Sequence, residues 1–134
     1  MEPEQYESLI GVSASLERVV AAADTAEALG SGDVQVLATP RLLAWLEAAT
    51  VLALDGLPAE VTSVGTRVVL DHVRPSPMGH IVRCTARVVD VAARSIECAV
   101  EAVHAGDGVV VARGTVARAV VDRARFLDGL DGSS

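Results

Sequence analysis

The chain has 134 residues and a net charge of −7, which is enough length for one domain with a core of its own. Its eleven basic residues are all arginines scattered singly among carboxylates, so the pattern does not predict the basic surface that nucleic acids require. The apolar runs are too short to span a bilayer, and the acidic N-terminus does not resemble an export signal. We therefore expect a soluble, cytoplasmic protein without a membrane or nucleic-acid partner. The His and Cys spacing predicts no metal site.

The N-terminal third predicts one strand and a connection. Residues 12–20 alternate in polarity as a first strand does. Residues 24–38 contain a Gly-Ser-Gly-Asp break and favour a connecting segment with a short helical turn. The composition of the two ends, residues 1–10 and 127–134, indicates that they fray from a single domain that spans residues 1–134.

A long central helix is predicted from Thr39-Pro40 to about residue 55. Threonine is a good N-cap and proline suits the first helical turn, whereas Gly56 and Pro58 end the pattern. Glu47 is the single ionisable side chain between residues 42 and 54, and apolar residues cover nearly the whole circumference. We therefore expect a helix that is buried on almost every side and that takes Glu47 into the interior. A buried carboxylate is costly, so Glu47 needs partners, a proton or a ligand pocket.

The remainder of the chain predicts strands. Alternating segments cover residues 65–74, 80–90, 95–104 and 109–121, and short connections join the last three as a meander. In the third segment one face is apolar and the other carries Glu97 and Glu101. The order of one strand, a long helix and four antiparallel strands predicts an α+β fold in which a curved sheet wraps around the helix.

Both cysteines are expected to be reduced. A hairpin centred between positions 92 and 93 would place Cys84 opposite Glu101 and Cys98 opposite Arg87, which separates the two thiols. Both sit in apolar strand segments, as small buried side chains do. We therefore predict no disulfide.

Thr39, Glu47 and His72, at spacings of 8 and 25, lie in the motifs LATPRLLAWLEAA and SVGTRVVLDHVRPSPMG, which a GTVARAV segment follows at residues 114–120. From residue 37 to 126 the chain resembles the fluoroacetyl-CoA type of thioesterase, a branch of the hot-dog acyl-CoA hydrolases. The resemblance implies a hot-dog fold, acyl-CoA hydrolysis, and no cofactor beyond the coenzyme A of the substrate. It also implies that Gly65 lies in the acyl pocket and Arg118 near the ligand.

The three residues have roles that fit this chemistry. Thioester hydrolysis needs an activated oxygen nucleophile, a proton acceptor and donors for the oxyanion. His72 has a side chain that titrates near neutrality, so it can act as the base. Thr39 can attack the acyl carbon or position a water. Glu47 can orient His72 or act as the base in the hydrolytic step.

Each of these residues also has a purely structural explanation. Thr39 can be a helix cap, and His72 can be a core or interface residue. Glu47 can form a buried ion pair with an arginine such as Arg118, which can otherwise lie at the strand surface. Gly65 can mark a strand bulge.

The segment before the helix departs from the fluoroacetyl-specific pattern. Those enzymes carry a phenylalanine-rich lid there, whereas residues 31–36 read SGDVQV and contain no aromatic side chain. We therefore do not expect selectivity for fluoroacetyl-CoA. The glycine and polar residues predict a mobile segment over the pocket, with Val36 as a substrate-binding residue.

Two other functions fit parts of the pattern. A non-catalytic hot-dog module would bind acyl-CoA or a related small ligand without turnover. A hot-dog dehydratase would need an Asp-His pair, but Asp71 and His72 should point to opposite faces of their strand. In any of these cases we expect a homodimer, because one curved sheet around one helix leaves an apolar flank. His80 and His104 flank turns and are expected at the surface.

Overall fold

A curved five-stranded antiparallel sheet packs around one long helix in the computed structural model, which describes residues 4–131. The elements in chain order are α1 (Glu4–Glu7), β1 (Ser13–Val19), a 3-10 turn (Ala22–Asp24), α2 (Ala26–Leu29), α3 (Thr39–Ala53), β2 (Val61–His72), β3 (Ile81–Ala92), β4 (Ser95–His104), β5 (Val110–Asp122) and α4 (Arg123–Asp131). The strands lie in the order β1-β3-β4-β5-β2, which places β2 at an edge. This confirms the predicted α+β architecture. Between residues 4 and 131 there is no helix with the length and apolarity needed to cross a membrane.

The meander of β3, β4 and β5 follows from the alternating sequence. In β4 every second side chain is buried, from Ile96 to Ala102, whereas Glu97 and Glu101 point away from the core. Long-range pairing of β1 with β3 and of β2 with β5 completes the sheet. These pairings bring the end of β2 beside the start of α3, where the candidate site lies.

Helix α3 packs against β3 and β1 through one face, which consists of Leu42, Leu46, Ala49, Thr50 and Ala53. The opposite face is open, since Val51 is 52% and Leu52 is 49% exposed. The prediction of a helix buried on almost every side is therefore wrong for a single chain. The apolar pattern showed which residues avoid water, but one sheet covers only one side of the helix.

The cysteines lie apart, as predicted, although the hairpin register differs by one residue. Cys84 is opposite Ala102 and Cys98 is opposite Val88, because the turn contains Ala93 with a left-handed φ of 54° and β3 carries a bulge. Both thiols are free and buried. Burial raises the pKa of Cys84 to about 12 and also raises the pKa of Cys98.

Parts of the two end segments form helices, and the fraying of these segments stays a prediction. Tyr6, within the segment predicted to fray, is 4% exposed and packs in the core. Helix α4 covers much of residues 127–134. The remaining parts of the two segments, residues 1–3 and 132–134, lie outside the described residues.

Candidate active site

Thr39 and His72 meet where α3 begins and β2 ends. The Thr39 hydroxyl oxygen lies 2.8 Å from His72 Nδ1. Thr39 is the first helical residue, the N-cap is Ala38, and no side chain caps the helix. The capping role considered for Thr39 is therefore wrong, because the hydroxyl is directed to a histidine that lies 33 positions further along the chain.

The environment of His72 suits a proton acceptor. The ring is half-buried, and the loss of solvent lowers its pKa below the ordinary 6.5, while the Arg74 backbone opposes this with a smaller effect. Nε2 is buried and makes no well-formed hydrogen bond to any residue in the described part of the chain. The neutral ring is therefore the favoured form near pH 7, with Nδ1 placed to accept the Thr39 proton.

A cavity of about 300 Å³ adjoins this pair. Thr39 and His72 both contribute to its wall, together with Val36 from the segment before α3 and Arg74 from the turn after β2. The other lining residues are Ala26, Ser31, Gly32, Val34, Leu37, Val73 and Pro75. None of the lining side chains is acidic, so a ligand with partial negative charge meets no repulsion from them.

Glu47 belongs to a second cluster, formed with β2 and β5. Its Oε2 lies 3.6 Å from Arg118 Nη1. Arg118 is in turn fixed by Ser63, since its Nε donates to the Ser63 hydroxyl at 2.9 Å and its Nη2 donates to the Ser63 carbonyl at 3.1 Å. This is the ion pair considered as the structural explanation for both charged residues.

Gly65 provides the space for this cluster. A Cβ atom at Gly65 would lie 2.8 Å from Glu47 Oε2 and 3.6 Å from Arg118 Nη1. The pairing of β2 with β5 also shifts between Gly65 and Arg67, so the glycine adjoins a bulge as well. The missing side chain leaves room for the Glu47 carboxylate, which approaches the strand closely.

The three residues predicted to be catalytic thus fall into two groups within one chain. In the region spanning residues 4–131, no hydrogen bond or ion pair joins Glu47 to Thr39 or His72. The separation of eight positions between Thr39 and Glu47 corresponds to about 12 Å of helix. The Glu47 side chain is also 36% exposed rather than buried, because it lies at the border between the covered and open faces of α3.

Several other expectations can be compared with the structure. Asp71 is exposed and lies opposite Arg113 in the sheet, so it forms no pair with His72. Residues 31–36 are anchored at both ends to Ala26, whose N donates to the Val36 carbonyl at 2.8 Å and whose carbonyl accepts from Ser31 N at 3.0 Å. Their mobility stays a prediction. Within the described ranges, no three His, Cys, Asp or Glu side chains form a group that can hold a metal ion.

Two polar residues of this region were not singled out from the sequence. Ser63 lies two positions before Gly65 on the same face of β2, and that alternation is the signal that could have identified it. Ser76 is fully buried and lies 2.8 Å from His104 Nε2. His104 is therefore half-buried instead of being a free surface residue, whereas His80 is exposed as expected.

Comparisons with known proteins agree with this architecture. The family described as FlK, fluoroacetyl-CoA-specific thioesterase, matches residues 20–124. Among solved structures, the fluoroacetyl-CoA thioesterase FlK is 26% identical, with a TM-score of 0.82 over 93% of this chain and 96% of that chain. A phenylalanine-to-alanine mutant of FlK in complex with fluoroacetate and CoA is 27% identical, with a TM-score of 0.79 over 87% of this chain and 98% of that chain.

A more distant structure shares the fold. A hot-dog-like protein from Thermanaerovibrio acidaminovorans is 21% identical, with a TM-score of 0.86 over 96% of each chain. A search of curated proteins found no match. Because the family match spans most of the sequence and the sheet and helix superpose on those of FlK, the chain has the hot-dog fold and belongs to the fluoroacetyl-CoA-specific thioesterase family.

Proposed function

We propose that this protein hydrolyses a small acyl-CoA thioester and that Thr39 and His72 carry the first step. The observation that carries the proposal is the 2.8 Å contact between the Thr39 hydroxyl and His72 Nδ1 at the wall of an open cavity. A hydroxyl becomes an effective nucleophile when a neutral imidazole accepts its proton. The FlK mutant crystallised with fluoroacetate and CoA supports a CoA thioester as the substrate class.

The pair allows two routes. In the first, His72 takes the Thr39 proton as the oxygen attacks the thioester carbonyl, the tetrahedral intermediate expels the CoA thiolate, and His72 returns the proton to it. Water then hydrolyses the resulting threonine ester. In the second route, Thr39 and His72 hold and deprotonate a water that attacks the thioester directly. Both routes need the same hydrogen bond.

The start of α3 supplies electrostatic support. The first turn of a helix carries N–H groups without intrahelical partners, and the helix dipole is positive at this end. Thr39 is the first residue of α3, so a thioester carbonyl oxygen that becomes negatively charged when the hydroxyl attacks lies close to these groups. The absence of acidic side chains from the cavity lining favours the same charge distribution.

The active unit in this proposal is a homodimer. Strand β2 is an edge strand of 12 residues whose middle exposes Val68 and Val69, at 37% and 47%. An unpaired strand edge and the open apolar face of α3 both favour burial against a second copy. Antiparallel pairing of two β2 strands about Val68 and Val69 would set Gly65 of one copy opposite His72 of the other. A stable monomer at micromolar concentration in sedimentation experiments would contradict this arrangement.

Such a dimer gives Glu47 a place in the reaction. It would bring the Glu47, Gly65 and Arg118 cluster of one copy to the Thr39 and His72 pair of the other. Because His72 Nε2 is already buried, Glu47 is better placed to act as the base for the hydrolytic water than to orient the ring. Gly65 and Arg118 would then border the acyl group, as Val36 does from the other side.

The acyl group in this proposal is small, and fluorine selectivity is not included. A cavity of about 300 Å³ is at the lower end of ligand pockets. Residues 31–36 contain no aromatic side chain to form a lid.

A thioester-hydrolysis screen tests the proposal. Short, branched, aromatic and halogenated acyl-CoAs are incubated with the wild-type protein and with His72→Ala, and the released thiol is measured. We expect turnover of at least one short acyl-CoA by the wild type and about 100-fold less by the variant. Binding of acyl-CoA without any turnover would instead identify a ligand-binding module.

A further inference from the structure

We infer that His104 is a positioning residue which, through Ser76, fixes the separation of the two cavity walls and thereby the size of the acyl group accepted. This inference rests on the proposed thioesterase function and goes beyond it, because neither residue lines the cavity.

The two walls of the cavity come from different parts of the chain. One wall is the turn after β2, represented by Arg74 and Pro75, and the other is the segment before α3, represented by Val36 and Leu37. The size of the cavity depends on how far apart these two segments are held. Thr39, which carries the proposed nucleophile, follows the second wall by two residues.

Ser76 connects both walls. It directly follows Pro75 in the turn, and its carbonyl accepts a hydrogen bond from Leu37 N at 2.9 Å. Val36 also forms an isolated bridge with Pro77. A displacement of Ser76 therefore changes the distance between the two walls.

His104 holds Ser76 in place. The ends of the turn are attached by main-chain bonds, from Val73 N to the Val111 carbonyl at 2.8 Å and from Gly79 N to the Val20 carbonyl at 2.9 Å. In the middle of the turn, the Ser76 hydroxyl is fully buried and lies 2.8 Å from Nε2 of His104, the last residue of β4. A buried hydroxyl without this partner would lose its hydrogen bond, so removal of the ring favours displacement of the turn.

His80 provides a matched control. Its ring centroid lies 5.0 Å from that of His104, so the two imidazoles are direct neighbours. His80 makes no hydrogen bond to Ser76 among the described residues. Replacement of His80 removes an imidazole beside His104 but leaves the hydrogen bond between His104 and Ser76 in place.

The experiment measures the ratio of kcat/KM for acetyl-CoA to that for hexanoyl-CoA, because a ratio is independent of the fraction of active protein. In His104→Leu and in Ser76→Ala we expect it to change on the order of tenfold, as one methylene group does in an apolar pocket. The double variant should change no further, since both substitutions remove the same bond. His104→Gln, which keeps a polar group near the Nε2 position, and His80→Leu should retain the wild-type ratio.

The outcomes that overturn the inference are distinct from failure of the proposed function. A wild-type ratio in His104→Leu, or equal shifts in His104→Leu and His104→Gln, overturns it. If the wild-type protein releases no thiol, the proposed function fails. The inference is then tested by the ratio of Kd values for the same two acyl-CoAs, measured by calorimetry, with the same expectation for each variant.

Discussion

Gly65 leaves open the space that the Glu47 carboxylate occupies, since a Cβ atom at that position would lie 2.8 Å from Oε2. The strand and the helix therefore approach each other at the two residues that the proposed reaction needs on one side of the acyl group. The clash would involve the end of a flexible side chain and not the backbone. A substitution at Gly65 can thus displace Glu47 without unfolding the sheet.

Gly65→Ala should lower turnover while it lowers the free energy of unfolding by less than about 1 kcal/mol. Gly114→Ala is the contrasting variant, because its Cβ would collide with the Val69 carbonyl in the neighbouring strand and the backbone must move. We expect that change to cost about 3 kcal/mol or more. Denaturant unfolding and thiol release distinguish the two, and equal destabilisation by both would refute the specific role of Gly65.

The pH dependence of kcat/KM should report the environment of His72. Burial lowers the pKa of His72 below 6.5, so the ring stays neutral and able to accept a proton in more acidic solution than an exposed histidine would. We therefore expect the acidic limb of the wild-type profile to have its midpoint below pH 6.5. A midpoint above 6.5 would show that a different group acts as the base.

Thr39→Ala separates the chemical role from the capping role. Loss of an N-cap costs typically about 1 kcal/mol, but Thr39 is not the N-cap, so we expect a smaller change in unfolding free energy. Turnover should fall sharply in this variant, and Thr39→Ser, which keeps the hydroxyl, should retain most of it. Mass spectrometry of the quenched wild-type reaction decides between the routes, because an acyl adduct on the peptide with Thr39 forms only by direct attack.

Subunit complementation tests the shared site. His72→Ala and Glu47→Gln should each abolish most turnover, and Glu47→Gln should change stability by less than about 1 kcal/mol because its ion pair is partly exposed. In a mixed dimer of the two variants, one site would combine both defects and the other would contain His72 and Glu47 intact. We expect mixing of equal amounts under exchange conditions to restore about a quarter of the wild-type activity, since about half of the dimers become mixed and each of these has one intact site of two. Mixtures as inactive as the single variants would place all catalytic residues of a site in one chain.

The sequence predicted the central helix and the three meander strands well because their causes are local, whereas β2 begins four residues earlier than predicted and α1 and α4 were not predicted. Alternation predicted β4 with its correct ends, and Thr39-Pro40 marked the true start of α3. The hydrogen bond between Thr39 and His72 joins residues 33 positions apart, so no rule about helix ends could assign that hydroxyl to the histidine.

What the sequence did not predict depends on which surfaces meet. An apolar helix pattern does not say how many of its faces a single sheet covers, and the exposure of Val51 and Glu47 follows from that. The role of His104 was likewise hidden, because its partner Ser76 lies 28 positions earlier in a turn. The predicted hairpin register was also displaced by one residue, because the alternating pattern does not indicate the bulge in β3.

Val36→Phe tests whether the segment before α3 shapes the acyl pocket. Val36 lines the cavity beside Thr39 and is anchored by the hydrogen bond from Ala26, so a larger side chain at this position should fill the cavity. We expect kcat/KM for longer acyl-CoAs to fall by about 10-fold or more relative to acetyl-CoA. Val34→Phe is the matched control for position, since Val34 also lines the cavity but is 54% exposed and its ring can turn to solvent. An unchanged acyl preference in Val36→Phe would mean that residue 36 does not contact the acyl group.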